Sequence, residues 1–375
     1  MSVKVCNISL CPDARNSWRR RLFCQRTALA GVDLGTREIR VVKVKAVGGV
    51  PEVTALGRAP TPREAFADGM RLEKVATALR EALGQAGTEI TDAVTAISGE
   101  KVIIRQIRMP RMPESEVQAA IRWEAERQIP VPLDELVVDH VTLGEVVTEE
   151  ARQLEVLLIG APRQTVHEYY NLFAQAGLRL VAVEIGTFAL WRLFAGSQKA
   201  PPPGAVGILD IGAKSTQFVV MRDGRIKAAH ALAVGGNAVT EALAKTYTIE
   251  FAEAERLKEG KGEIIAAEGE AAAATEPETA KLDYALRAGL AEFVREVRRS
   301  LSWYQSQHRG APLERFLLSG GGAKLKGIAP FLTEELGLPV EVGVPGVRVK
   351  AGGQPAEYDP GLATVIGLAL REVLG

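Results

Sequence analysis

Residues Gly31 to Val44, GVDLGTREIRVVKV, recur in outline at Gly207 to Val220 as GILDIGAKSTQFVV. Each copy reads as an apolar strand, an Asp, a Gly, a short polar turn and a second strand, so the chain holds two similar β-hairpins about half its length apart. Each turn sets a carboxylate, Asp33 or Asp210, at a strand end and a glycine, Gly35 or Gly212, two residues on. Backbone N–H groups at such a glycine can approach an anion without an intervening Cβ. One such turn is compatible with a plain hairpin. Two turns facing each other from two similar domains would hold a polyphosphate and its metal from both sides. A third element joins them: Phe316 to Ile328, FLLSGGGAKLKGI, is a buried strand running into Gly320, Gly321 and Gly322 and then a helix, where a base or ribose can lie flat on backbone.

Size and charge narrow the class. A chain of 375 residues exceeds what one core usually holds, so two domains are expected. With 46 basic and 46 acidic residues there is no long-range field to favour nucleic acid. No uncharged apolar run reaches the length of a membrane span. Cys6, Cys11 and Cys24 all fall near the N-terminus, leaving a cysteine-free body suited to a reducing cytoplasm. A zinc site among them would lack a nearby His. The segment around Trp18, Arg19, Arg20 and Arg21 is basic and amphipathic but has no signal-peptide apolar region, and it reads as a tail or a misplaced start.

After the first hairpin come a strand-rich connection from Pro51 to Met70, a helix over Leu72 to Ala86, and strands over Ile90 to Ser98 and Lys101 to Ile107. Arg108 to Pro113, RMPRMP, breaks the chain, and Pro113 with Glu114 and Glu116 opens a helix with acidic residues at its positive end. In that helix Val117, Ala120 and Ile121 form the apolar stripe, on a face shared with Glu124 and Gln128, and Trp123 stands about a third of a turn away. Trp123 either packs against another domain or meets a partner. Ile129 to Pro132, IPVP, then extends the chain. Leu136 to Leu143 and Leu154 to Ala161 read as paired strands around a polar loop, Val166 to Gly177 as a helix and Leu178 to Val183 as a strand. Further on lie a stiff proline linker at Lys199 to Gly204, helices at Val239 to Thr246 and Phe251 to Lys258, an Ala/Glu-rich loop at Ala266 to Thr279 and a long helix at Tyr284 to Gln307.

The two hairpins and the glycine loop, in this order, resemble the actin, heat-shock-70 and sugar-kinase ATPase superfamily. Within it, Arg108 to His140, RMPRMPESEVQAAIRWEAERQIPVPLDELVVDH, looks like the signature of the PilM family of type IV pilus assembly proteins, related to the cell-division protein FtsA. VEIGTFALWRLF at Val183 to Phe194 and GGNAVTEALAKTYTIEFAEAERLKEG at Gly235 to Gly260 are similar to that family as well, and the match covers nearly all of Gly31 to Leu374.

The resemblance implies an α/β, actin-like ATPase fold: two duplicated RNase H-like halves around a nucleotide cleft, with an FtsA/PilM-type inserted subdomain. The implied organisation is a tail over 1–28, a first half over 29–200 with the insertion at about 105–178, and a second half over 201–375 with a smaller subdomain at about 241–294. It implies ATP with magnesium, or manganese, as ligands. Asp33 and Asp210 match the two cation-holding aspartates, and Arg40 stands where relatives place a phosphate-reaching lysine. Gly35, Thr36, Gly212, Ala213 and Lys214 match phosphate-loop contacts, and Gly320, Gly321 and Gly322 the adenosine loop. Glu255 and Lys258 match a helix whose polar groups contact base or ribose, or else form an exposed ion pair. Hydrolytic relatives carry a Glu or Gln where this chain has Gly186. Glu184, two residues earlier, is the substitute candidate if its strand continues.

The function so implied is a cytoplasmic, ATP-binding adaptor of pilus assembly, held at the inner face of the membrane by partners. Its inserted subdomain, with Trp123, Ile129 and Pro130, would grip the cytoplasmic N-terminal tail of the inner-membrane protein PilN, with weak or no intrinsic ATPase activity. Other pilus proteins or further copies of the chain are possible partners; nucleic acid is not. An FtsA-like filament former is the alternative, although FtsA carries a C-terminal amphipathic helix and this chain ends at Gly375, just after its expected last helix. A small-molecule kinase would need an additional Asp-bearing loop, and none is visible.

Overall fold

The structure is a computed structural model that describes residues 29–374 except 63, 67–69, 98, 148–150, 198–202, 266–275, 309 and 352–353. The expectations for the N-terminal tail, for most of the proline linker and for residues 266–275 of the Ala/Glu-rich loop therefore lie outside the described residues. The chain forms two compact units. One comprises the described residues up to Ser197 together with Gly346–Glu357 and those from Thr364 onward, and the other the described residues between them up to Pro345 and Tyr358–Ala363.

In the first unit, β1 (Leu29–Leu34), β2 (Glu38–Val47) and β3 (Val50–Pro60) form an antiparallel meander. Strand β4 (Asp92–Ile97) pairs parallel with β1. The helix α1 (Leu72–Ala86) buries Val75, Ala76, Leu79 and Ala82, a helical repeat, and stops at Gly87 with φ 62°, the left-handed cap that glycine adopts without strain.

An inserted sheet follows, with order β5 (Ile103–Pro110), β7 (Arg152–Pro162), β6 (Leu136–Val147). The helix α2 (Glu114–Gln128) lies on it. Val117, Ile121 and Ala125, spaced by four, meet Ile107, Met109, Val156 and Leu158 in a core of their own. The predicted stripe is thus turned slightly: Ala125 is buried where Ala120 is only partly so, because a four-residue step keeps close to one line along the helix. The strands β5 and β6 also run past their predicted ends, Met109 being buried in that core. The helix α3 (Arg163–Gln175) then leads into β8 (Arg179–Ile185), which pairs parallel with β4 and so continues through Glu184. The connecting helix α4 (Gly186–Trp191) passes into a π-helical turn over Arg192–Gly196.

In the second unit, β9 (Ala205–Ile211), β10 (Thr216–Arg222) and β11 (Arg225–Leu232) form the second meander. The helices α5 (Gly236–Tyr247), α6 (Phe251–Lys261) and α7 (Pro277–Gln307) cover it. Strand β12 (Arg315–Ser319) pairs parallel with β9, α8 (Ile328–Leu336) follows, and β13 (Val340–Val342) closes the five-stranded sheet. Helix α7 starts at Pro277, so the last three residues of the predicted loop are helical; proline suits a first helical position. Val239, Leu243, Ala254, Leu282 and Leu286 share one core with Leu209, Phe218 and Phe316 of the sheet. Among the described residues, those of the expected smaller subdomain at about 241–294 thus share a core with the sheet.

The end of the chain departs from the expected second half at 201–375. Strand β14 (Arg348–Ala351) pairs parallel with β3 and antiparallel with β15 (Gln354–Ala356), completing the seven-stranded sheet of the first unit. The helix α9 (Ala363–Ala369) lies so close to β1 that a Cβ on Gly31 would stand 2.3 Å from the Val365 carbonyl oxygen. Apolar burial of this last segment against β1 overrides its position in the sequence.

Candidate functional site

The Asp33 turn is braced from inside its unit. Arg40 Nη1 donates to Asp33 Oδ2 at 3.1 Å while Arg40 Nε donates to Glu38 Oε2 at 2.8 Å. Thr61 Oγ1 donates to the Gly35 carbonyl at 2.7 Å and the Thr61 N–H to the Arg37 carbonyl at 2.9 Å. Thr36 and Arg37, at the tip, are exposed. Burial raises the Asp33 pKa, Arg40 opposes that rise, and Glu38 adds to it. Arg40, expected to reach a phosphate, is instead committed to Asp33 and Glu38. A cation at Asp33 would share the carboxylate with that guanidinium.

The Asp210 turn is tied to the start of α5. The Gly212 N–H bonds the Ser215 carbonyl at 3.0 Å, and the Gly236 and Asn237 N–H groups bond the Gly212 and Ala213 carbonyls at 2.9 and 2.8 Å. Approach is so close that a Cβ on Gly235 would stand 2.5 Å from the Gly212 oxygen. Lys214 is exposed at the tip. Beneath it, Lys258 Nζ reaches Glu255 at 2.7 Å, Thr240 Oγ1 at 2.8 Å and the Gly236 carbonyl at 3.2 Å, and Thr240 Oγ1 also donates to Glu255. Glu255 is buried, so the Glu255–Lys258 pair belongs to an internal network that ties α6 to the second turn and is not an exposed pair.

The glycine loop sits beside this turn in the same unit. Ser319 is in register with Asp210 across β12 and β9. Gly320, at φ 80°, and Gly322 are pressed on Ile211, where a Cβ would stand 2.5 and 2.4 Å from its atoms, whereas a Cβ on Gly321 would meet nothing within 4 Å. Two of the three glycines serve close packing, and Gly321 alone offers open backbone. The Gly320 N–H and Ser319 Oγ both donate to the Pro360 carbonyl, at 2.9 and 3.2 Å. Beside them, burial and then the charge of Asp210 hold the Tyr358 hydroxyl well above the tyrosine range.

Glu184 is not placed to work on a substrate. Its carboxylate accepts from Arg192 Nη2 at 3.0 and 3.2 Å and from Arg371 Nη1, and its side chain is 2% exposed. Arg192 also donates to the Gly367 carbonyl at 2.8 Å. This three-residue ion cluster binds the connecting helix to the end of the chain. It corrects the expectation of a water-orienting carboxylate, because both oxygens are taken by guanidiniums.

In the inserted subdomain Trp123 is 58% exposed, with the Arg127 guanidinium carbon 4.7 Å from the centre of its ring. Pro130 is exposed. Ile129 is 4% exposed and part of the subdomain core, so it is unavailable to a partner. Its N–H still bonds the Ala125 carbonyl, which carries the side chain inward from the helix end.

Several of these partners escaped the sequence reading. Glu38 lies two residues from Arg40 and was open to notice as an alternating charge on β2. Thr240, Arg192 and Arg371 gave no local signal, since Arg371 is 187 residues from Glu184.

The family described as "Type IV pilus assembly protein PilM" matches residues 31–373. The chain belongs to that family. Among solved structures, the "PilM-PilN type IV pilus biogenesis complex" is 32% identical, with a TM-score of 0.79, covering 93% of this chain and 99% of that one. The ethanolamine utilization protein EutJ from Carboxydothermus hydrogenoformans, 21% identical with a TM-score of 0.53 over 92% of this chain and 89% of its own, shares the fold. Cell division protein FtsA from Neisseria meningitidis serogroup B is 22% identical over 92% of this chain and 90% of its own length. FtsA from Bacillus subtilis is 23% identical over 62% and 57%. The fold is therefore the actin-like one that the PilM family shares with FtsA. No helix of the described residues is long and apolar enough to cross a membrane.

Proposed function

We propose that this member of the PilM family is a cytoplasmic adaptor of type IV pilus assembly that binds the N-terminal tail of a PilN-like inner-membrane protein and binds ATP with magnesium or manganese. The observation that carries the partner is the 32% identity, over nearly the whole of both chains, to the solved PilM-PilN type IV pilus biogenesis complex. Trp123 supports the inserted subdomain as the gripping surface: an exposed indole on the helix that leads to the exposed Pro130 offers an aromatic anchor to an extended peptide. Attachment through that tail would hold the protein at the inner face of the membrane.

The nucleotide reading rests on the chemistry of the two turns. Asp33 and Asp210 each end a strand beside a glycine turn, and magnesium favours one or two carboxylates with its remaining positions filled by water and phosphate. Thr36 and Lys214 stand exposed at the tips as phosphate contacts, with the backbone of Gly35, Gly212 and Ala213 beside them. Gly321 offers the open surface for the adenosine. When bound, ATP would supply a triphosphate whose charge the cation offsets. Glu184 being engaged elsewhere, no side chain of the connecting helix is assigned to orient a water, and turnover by the isolated protein is expected far below the roughly 10 per second of ordinary enzymes.

A pull-down with the cytoplasmic N-terminal peptide of PilN, with and without magnesium ATP, tests the reading. Capture of the full chain by the peptide is the expected result. No capture in either state, with the protein folded, would overturn the adaptor function and leave the FtsA-like filament former as the surviving alternative.

A further inference from the structure

The two turns repeat each other in backbone and differ in charge. Gly35 and Gly212 stand at equivalent places, and each tip carries an exposed base, Arg37 or Lys214. The residues set against the two aspartates across the sheet are not equivalent. Arg40 follows Asp33 at the same spacing at which Gln217 follows Asp210. Register makes each of them the direct cross-strand partner of its aspartate, on β2 against β1 and on β10 against β9. The third strand continues the contrast, since Arg58 of β3 opposes Arg40 whereas Ala231 of β11 opposes Gln217.

Opposed residues in an antiparallel pair have Cβ atoms about 4.5–5.5 Å apart, so a charge at that place acts directly on the carboxylate. Arg40 does so, with Nη1 on Asp33 Oδ2 at 3.1 Å and Nε on Glu38 Oε2 at 2.8 Å, and Arg58 Nη1 lies 3.8 Å from the same Glu38 oxygen. Glu38 thereby holds the guanidinium against Asp33, and its counterpart in the second turn is the neutral Ser215. Across the three strands of the first turn, Asp33 and Glu38 are balanced by Arg40 and Arg58. Asp210 instead has neutral register partners on both sides, Gln217 and Ser319. A divalent cation is drawn to a carboxylate whose cross-strand partner is neutral and is repelled where a guanidinium already stands.

We infer that Arg40 is the resident cation of the first turn: it takes the place of a metal at Asp33, and the divalent cation of a bound nucleotide is held from the Asp210 turn. This rests on the nucleotide reading given above and divides the labour of its two aspartates. The choice between Arg40 and Gln217 at equivalent positions then decides which turn receives the metal.

The test exchanges those residues in the full chain. Calorimetry with ATP alone and with manganese ATP gives, for each variant, the factor by which manganese tightens ATP binding. A neighbouring arginine lowers a carboxylate's affinity for a proton by roughly ten- to a thousandfold, so Arg40→Gln should raise the manganese factor, and Gln217→Arg lower it, by at least about tenfold. Adding Asp33→Asn to Arg40→Gln should cancel the gain. An Arg40→Gln variant that binds both forms of ATP more weakly by the same factor would overturn the inference and return Arg40 to a phosphate. A gain that survives Asp33→Asn would overturn it too, as would a Gln217→Arg variant whose factor stays within twofold of wild type. Should Arg40→Gln fail to fold in thermal unfolding, Gln217→Arg decides alone. If the wild-type protein binds ATP in neither form, the nucleotide reading itself fails and this inference with it; wild-type binding with indifferent variants removes the Arg40 assignment alone.

Discussion

Glu184→Gln separates a structural carboxylate from a catalytic one. In the native protein a single negative charge, 2% exposed, faces two guanidiniums whose side chains are each 10% exposed. Glutamine keeps the shape but leaves two buried cations with one amide oxygen between them, and its NH2 must turn toward one of them. Removing one partner of a buried ion pair costs about 3–5 kcal/mol. The retained oxygen still accepts from one guanidinium, and Arg192 keeps the Gly367 carbonyl, so the lower end, about 3 kcal/mol, is the appropriate figure. For a unit of this size about 1 kcal/mol moves the melting temperature by roughly 2–4 °C, so a drop of roughly 6–12 °C is expected. Differential scanning calorimetry on the nucleotide-free protein reads it directly, with Arg371→Met as the companion variant. In a double-mutant cycle the two should couple strongly, because each removes the other's partner. A melting temperature within about 2 °C of wild type, together with loss of ATP turnover, would refute the structural role and return Glu184 to catalysis.

Three other outcomes follow from the same geometry. Trp123→Ala should weaken binding of the PilN peptide by at least about 2 kcal/mol, roughly 30-fold, with little change in melting temperature, since the ring is 58% exposed; fluorescence anisotropy and calorimetry on the same sample decide it. Asp210→Ala should abolish magnesium-dependent ATP binding in titration calorimetry while leaving circular dichroism unchanged, because the carboxylate is at a strand end outside the core. His230 has its pKa lowered from 6.5 by burial and then by Arg299. The unfolded chain therefore binds a proton more readily than the folded one, so stability is complete above about pH 6.5 and is lost as the pH falls below it. His230→Phe should flatten that part of a urea-midpoint against pH curve, whereas an unchanged acid slope would assign it to other groups.

Much of the fold was legible because its signals are local. The apolar strands on both sides of Asp33 and Asp210 and the proline before Glu114 act within a few residues of themselves, and the strands and helix they mark formed where the sequence placed them. Family signatures in α2 and after Gly235 are likewise continuous stretches. The edges were less legible. Strands β5 and β6 ran on because their pairing with β7 supplied partners that no local pattern announces.

Tertiary structure alone decided which marked residues are free to act. Ile129 and Trp123 lie six residues apart and both stood among the expected partner contacts, but the turn after α2 swings Ile129 into the core and leaves Trp123 outside. Three consecutive glycines look alike in sequence, and only the proximity of Ile211 makes two of them packing residues and one open. The Glu184 carboxylate could have faced solvent, and its engagement depends on Arg371, 187 residues away. Composition and periodicity determine which elements form, because backbone hydrogen bonding and amphipathicity act over short spans. Which side chains remain exposed depends on long-range packing, as buried Ile129 and exposed Trp123 show.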